Sequence, residues 1–66
     1  MKLNALKIHY SVREEVLENL FGKNGYYFME GIFECYWVAT SKNGKMMHAL
    51  EHATNVLEQD EYEWIK

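Results

Sequence analysis

Residues 26–40 read YYFMEGIFECYWVAT and contain six of the ten aromatic side chains in this chain of 66 residues. The odd-numbered positions between Tyr27 and Ala39 carry no charge, which is typical of an extended run with one apolar face. A straight strand of this length would span about 50 Å, which is too far for so small a domain. We therefore expect the run to fold back as a hairpin with its turn at Glu30-Gly31.

The residues before this run predict a strand followed by a helix. In residues 2–10, KLNALKIHY, the side chains of Leu6, Ile8 and Tyr10 alternate with polar ones, as they do in a strand with one buried face. Ser11 and Glu14 then have the spacing of a capping box, in which each side chain bonds to the other residue's free backbone N–H. The first strand is therefore expected to lead directly into a capped helix.

The predicted first helix covers residues 12–21. Its apolar positions recur at helical spacing along one side, while charged side chains occupy the other side. Gly22 follows as a residue that can close the helix in a left-handed backbone conformation. The apolar stripe comprises Val12, Val16, Leu17, Leu20 and Phe21.

A second helix is predicted after the turn at Ser41–Gly44. The apolar residues between Met46 and Leu57 fall on one helical stripe, and the polar side chains of His48, His52, Asn55 and Gln59 fall opposite it. An alternative interpretation uses Asn43-Gly44 as a hairpin turn, which makes Lys45–His48 a short strand before a shorter helix. The continuous stripe favours the long helix.

The chain is predicted to end in a short strand. Residues 61–65, EYEWI, alternate between acidic and apolar side chains, so Tyr62 and Trp64 share one face. Without this strand, the sheet would keep an open edge.

The order of these elements, βαββα(β), predicts an α+β fold in a single small domain covering residues 1–66. We expect a small antiparallel sheet with both helices packed on one face. With the last strand paired, the element order is that of a minimal ferredoxin-like sandwich. The residues expected in the core include Leu17, Leu20, Phe33, Trp37, Leu50 and Ala53.

Charge and composition exclude several classes of function. The net charge is −3, and residues 51–66 carry five acidic side chains against the single basic Lys66. Such an acidic end argues against nucleic-acid binding, which needs a basic patch on the protein. The N-terminus lacks the apolar core of a signal peptide, and no segment approaches the roughly 20 apolar residues of a membrane span. We expect a cytoplasmic protein with no membrane segment.

The only cysteine, Cys35, allows no disulfide within the chain, which fits a reducing compartment. It shares the apolar alternation of Phe33 and Trp37, where a thiol is usually inert and contributes to core packing. We therefore expect Cys35 to be structural and not a nucleophile.

Residues 48–52, HALEH, match the H-x-x-E-H spacing, which sets two histidines one helical turn apart. The motif resembles that of inverted zinc metallopeptidases, with Glu51 in the position of the general base. Those enzymes need a third ligand and a cleft built by a much larger chain, and two histidines leave zinc short of protein ligands. We expect His48 and His52 to be solvated and no cofactor to bind; the alternative is a helix-borne metal site at His48 and His52.

The surplus of aromatic residues favours a non-enzymatic protein-binding module that occludes or bridges a larger macromolecular partner. So small a core cannot bury ten aromatic rings, and exposed Tyr and Trp tend to mark binding surfaces. In size, acidity and compactness the chain resembles inhibitors encoded by bacteriophages, such as anti-CRISPR proteins, although no motif is shared. The alternative is a homodimer, structural or ligand-binding, that buries the aromatic surface between subunits.

The predicted binding surface combines aromatic anchors with an acidic rim. Glu34 and Tyr36 face away from the apolar alternation of their strand, whichever way the chain turns at Gly31. Tyr62 and Trp64 are expected to extend this surface, since a short terminal strand can add to the sheet. The candidate residues are Glu34, Tyr36, Asp60, Glu61, Tyr62 and Trp64.

Overall fold

The structure, a computed structural model, describes residues 5–41 and 46–65. These ranges form four strands, two α-helices and one turn of 3₁₀ helix. In chain order the elements are β1 (Ala5–His9), α1 (Glu14–Phe21), β2 (Tyr27–Glu30), β3 (Cys35–Thr40), α2 (Met47–Val56), the 3₁₀ turn (Gln59–Glu61) and β4 (Tyr62–Ile65).

The four strands form one antiparallel sheet in the order β2-β3-β1-β4. β4 pairs with β1 over Tyr62–Ile65, so the final strand predicted from the alternation is confirmed. β1 and β2 both lie antiparallel to β3, so they run parallel to each other with β3 between them. This split arrangement with two crossover helices has the βαββαβ element order of a ferredoxin-like sandwich.

Both helices pack against one face of this sheet. Leu6 and Ile8 of β1 have no exposed surface, and they join Leu17 of α1 and Leu50 and Ala53 of α2 in a single apolar cluster. The predicted core residues Leu17, Leu50 and Ala53 are fully buried, whereas Leu20 and Trp37 are partly buried against the cluster. The other residues of the buried cluster are Val12, Phe21, Ala39 and Leu57.

The prediction that Phe33 belongs to the core is wrong, because 97% of its surface is exposed. The hairpin turn occupies Gly31–Glu34, since the last strand pair is Glu30 with Cys35. The turn therefore lies beyond the predicted Glu30-Gly31, and Phe33 is at its tip instead of on a strand. Cys35, expected in the core, is also exposed because the hairpin continues past the helices that cover the sheet.

The start of α1 also differs from the prediction. The helix begins at Glu14, with Arg13 at the N-cap position and no side-chain hydrogen bond to the first turn. Ser11 makes no capping box, because its hydroxyl lies 2.7 Å from His9 Nδ1. The backbone N–H of Val12 bonds to the carbonyl oxygen of His9, so a turn separates strand and helix. Tyr10, predicted on the buried face of β1, lies in this turn and is exposed.

Gly22 ends α1, as predicted, with a positive φ of 81° that favours glycine. Its ψ of 165° is not that of the left-handed helical conformation expected from the sequence. α2 contains His48, so the helical interpretation is confirmed there, while Lys45 lies outside the described residues. Val56, predicted on the apolar stripe, is half exposed, whereas Leu57, the next residue, is buried. None of the helices within residues 5–41 and 46–65 is long and apolar enough to cross a membrane.

Replacing Leu50 by Ala should destabilise the protein by about 2–5 kcal/mol, because it leaves a cavity in the apolar cluster that forms the core of a small domain. Val56→Ala on the same helix is the matched control and should change the free energy of unfolding far less. Urea unfolding followed by circular dichroism measures both. A wild-type midpoint for Leu50→Ala would contradict the observed packing of α2.

Candidate protein-binding surface

The tip of the β2–β3 hairpin carries the two most exposed apolar side chains described. Ile32 is 94% exposed and Phe33 is 97% exposed. The backbone N–H of Gly31 donates a 2.8 Å hydrogen bond to the Glu34 carbonyl oxygen and closes the turn. A Cβ atom at position 31 would lie 2.7 Å from that oxygen, so glycine is required there. The sequence thus builds a tight turn that holds two large apolar side chains in water.

β2 continues this apolar exposure along the edge of the sheet. Its residues Tyr27, Phe28 and Met29 are each about two-fifths to one-half exposed. With the tip they form what we call the hairpin surface, defined as Tyr27, Phe28, Met29, Ile32 and Phe33. At about 200 Å² for each large side chain, their summed exposed area is about 600 Å². Phe28 is on the same side of the sheet as Trp37, whereas Tyr27 and Met29 are on the other side, so this area is divided between the two faces of the hairpin.

Trp37 supports the hairpin surface from β3. The rings of Phe28 and Trp37 meet edge to face with centroids 4.8 Å apart. Tyr26 meets the same indole at 5.6 Å and also edge to face. Trp37 itself packs against the core cluster. Phe28 is therefore braced on one side by the core while its other side is open to a partner.

The face of the sheet opposite the helices, which we call the open face, brings together Lys7, Glu34 and Tyr36. Lys7 Nζ lies 2.6 Å from Glu34 Oε1 and 4.6 Å from the centre of the Tyr36 ring. Glu34, which accepts the hydrogen bond, raises the pKa of Lys7 above its usual value. The predicted pair Glu34 and Tyr36 thus lies on one face. Lys7 was missing from the predicted surface, although its alternation with Leu6 and Ile8 places it there.

An acidic depression borders this group where β4 begins. Asp60, Glu61 and Glu63 line it together with Lys7 and Glu34. Its volume of about 170 Å³ is below the 300 Å³ or more that is usual for small-molecule sites. Glu61 also has a structural role, since its Oε1 accepts the Glu58 N–H in a capping box of the 3₁₀ turn. The depression therefore fits the rim of a wider surface better than a pocket for a small ligand.

Tyr62 and Trp64 share one face, as predicted, but it is not the face of Tyr36. In the β1–β4 register Tyr62 is opposite Ile8 and Trp64 is opposite Leu6. Ile8 and Leu6 are fully buried under the helices, and side chains opposite each other lie on the same face of a sheet. The expected single surface of Tyr36 with Trp64 is therefore not formed. Alternation alone could not assign the face, because it does not specify the register.

The histidines of the H-x-x-E-H spacing are both exposed on α2. Within residues 5–41 and 46–65, no three side chains of His, Cys, Asp or Glu are grouped so that they could hold a metal ion. Glu51 is exposed as well, and its carbonyl oxygen accepts the hydroxyl hydrogen of Thr54. Among the described residues, no third side chain is therefore placed to bind a metal ion together with His48 and His52.

Comparisons of this chain with protein-family models, curated proteins and solved structures give no match.

The ionisation of Tyr26 should lower the free energy of unfolding as the pH rises from 10.0 to about 12. Loss of solvent around the ring and the 2.9 Å hydrogen bond from its hydroxyl to Glu14 Oε2 raise the pKa of Tyr26 from 10.0 to about 12. The folded state therefore keeps a proton that the unfolded chain loses near pH 10.0. This contribution is fully present below pH 10.0 and is lost as pH rises through about 12.

Urea unfolding across this window tests the point. The free energy of unfolding of the wild type should fall more steeply with pH than that of Tyr26→Phe, which has no proton to lose. Glu14→Gln should give an intermediate slope. If the free energy of unfolding fell equally steeply with pH in the wild type and in Tyr26→Phe, the pKa of Tyr26 would be the same in the folded and unfolded states, and the prediction would be wrong.

Proposed function

We propose that this chain is a non-enzymatic protein-binding module that occludes or bridges a larger macromolecular partner. The observation that carries the proposal is the nearly complete exposure of Ile32 and Phe33 at the hairpin tip. In its mode of action the module is of the type of phage-encoded inhibitors such as anti-CRISPR proteins.

Ile32 and Phe33 contribute almost no burial free energy to folding, because they stay exposed in the folded state. Burying one of them in a partner yields about 1.5–3 kcal/mol. Hot spots of binding are typically side chains of this kind that enter a pocket and lose all contact with water. The tight turn at Gly31 holds Phe33 in place before binding, so less conformational entropy is lost on association.

Charge around the tip indicates the chemistry of the partner's surface. Glu30 and Glu34 stand at either end of the turn, and Asp60 and Glu63 lie beyond Lys7 on the same side. Lys7 is already paired with Glu34. Apolar anchors with an acidic rim fit a partner with an apolar pocket surrounded by Lys and Arg side chains, and such rims mainly raise the association rate.

The acidic depression favours a binding role over catalysis. Catalytic sites bring an acid, a base or a nucleophile together at a place from which water can be excluded. Here the ionisable side chains line an open, acidic depression, and Cys35 is exposed on the hairpin. These groups suit the charged rim of an interface.

Site-specific cross-linking tests the proposal. A photo-reactive phenylalanine analogue at position 33, used in the native host, should capture one principal partner. The same analogue at position 52, an exposed residue of α2, is the matched control and should not capture it. Enrichment of the same proteins from both positions would contradict the hairpin as the binding surface.

Measuring the affinity of variants for the captured partner then shows how much each residue contributes to binding. Phe33→Ser should weaken binding by about thirtyfold or more, which is about 2 kcal/mol. Tyr36→Ala should weaken it roughly tenfold, and Glu61→Gln should have a small effect that depends on salt. Unchanged affinity for both Phe33→Ser and Tyr36→Ala, with wild-type circular dichroism spectra, would refute the surface.

A further inference from the structure

β2 is an edge strand whose protection against pairing with another strand is limited to its shortness, four residues, and to the charge of Glu30 at its end. It lies at one end of the sheet order, and all four of its side chains are exposed. Natural edge strands are commonly shielded by lysine, proline, a bulge or a covering element. Tyr27–Glu30 contains neither lysine nor proline, and its pairing with β3 is regular throughout.

The backbone groups that point away from the sheet belong to Phe28 and Glu30. The Gly31 N–H bonds to the Glu34 carbonyl oxygen directly beyond the last strand pair. In an antiparallel pair the residues that exchange hydrogen bonds alternate along the strand. Tyr27 and Met29 therefore bond to β3, and the N–H and C=O of Phe28 are directed outward.

We propose that a second copy of this chain pairs with the free edge of β2, antiparallel and about a two-fold axis at Phe28. Phe28 then lies opposite Phe28 of the second copy, and each exchanges its outward N–H and C=O with the other. Tyr27 lies opposite Met29 of the second copy on the open face of the extended sheet. Aromatic and apolar cross-strand pairs of this kind stabilise sheets.

Repulsion between the two Glu30 side chains favours an axis at Phe28 over an axis at Met29. With Phe28 on the axis, the two Glu30 residues are separated by four residues along the strands, or about 13 Å. This distance exceeds the Debye length of about 8 Å at physiological salt, so their repulsion is weak. With Met29 on the axis, the separation falls to about 7 Å on the same face.

The opposite edge of the sheet is less suited to self-pairing. β4 carries Glu63 within the strand and follows directly on Asp60 and Glu61. An antiparallel pair of β4 strands about an axis at Glu63 would set the two Glu63 residues opposite each other, and an axis at Tyr62 would set Glu61 opposite Glu63 of the second copy; like charges opposite each other destabilise a sheet. Self-association is therefore directed to β2.

The buried area makes this dimer weak and dependent on concentration. Tyr27, Phe28 and Met29 expose about 250 Å² of side chain per copy, at about 200 Å² for each large side chain. A specific stable interface buries about 800 Å² per partner. The two hairpin tips lie outside the paired strands, at opposite ends and about 30 Å apart. Such a dimer would be bivalent; this consequence rests on the proposed function, whereas the self-association does not.

Sedimentation velocity on the full chain tests the dimer. From about 10 µM to about 1 mM, the mass should rise from 7.9 kDa toward twice that value. Phe28→Lys sets two like charges directly opposite each other and should weaken the dimer at least tenfold. Phe33→Ser is the matched control, which should keep the dimer while losing the proposed partner. A wild-type mass of one chain throughout this range would overturn the proposal.

Amide hydrogen exchange on the wild type gives a test that needs no variant. Raising the concentration across the same range should slow the exchange of the Phe28 and Glu30 amides at least severalfold. The amides of Ile32 and Phe33, outside the paired strands, should exchange at an unchanged rate. Protection of the tip alone, or a dimer that Phe33→Ser abolishes and Phe28→Lys leaves intact, would assign self-association to the tip and overturn pairing through β2.

Discussion

The packing of β1 is the constraint on which the rest of this structure depends. β1 lies inside the sheet between β3 and β4, two strands from the second half of the chain. On the helix side of the sheet, Leu6 and Ile8 of β1 are buried beneath both helices. On the open face, Lys7 of β1 forms an ion pair with Glu34 and lies over the ring of Tyr36. Five residues thus supply the centre of the core and the centre of the open face.

The hairpin surface follows from the limited reach of that core. Two helices of eight and ten residues cover only the middle of the sheet. The β2–β3 hairpin extends past them, and Trp37 is its last large ring in contact with the buried cluster. Ile32 and Phe33, which lie beyond Trp37 at the tip of the hairpin, remain in water and are available to another molecule.

Periodicity predicted most of this architecture because each element carries its own hydrophobic pattern. Leu6 and Ile8 marked the buried face of β1, Leu17 and Leu50 marked the helical stripes, and Gly22 marked the end of α1. These signals are local, and they do not depend on which strands become neighbours. The fold class could therefore be predicted without knowledge of tertiary contacts.

The candidate site was harder to predict because it depends on turn length and strand register. A turn at residues 31–34 instead of 30–31 moves Phe33 from the core to the tip. The Ser11 hydroxyl contacts His9 instead of the first turn of α1, and the helix begins at Glu14 instead of residue 12. Trp64 is on the helix side of the sheet, away from Tyr36, because it is opposite Leu6. Each of these positions depends on one contact between two residues, and the alternation of apolar and polar residues carries no information about such contacts.

The position of Cys35 makes the hairpin experimentally accessible. It is the only cysteine among the 66 residues, it is exposed, and it lies two positions from Phe33. A thiol-reactive fluorophore would therefore attach at one defined place beside the tip, without engineered cysteines or the removal of competing ones. Its emission would report directly on whether the apolar end of the hairpin is in water or inside another molecule.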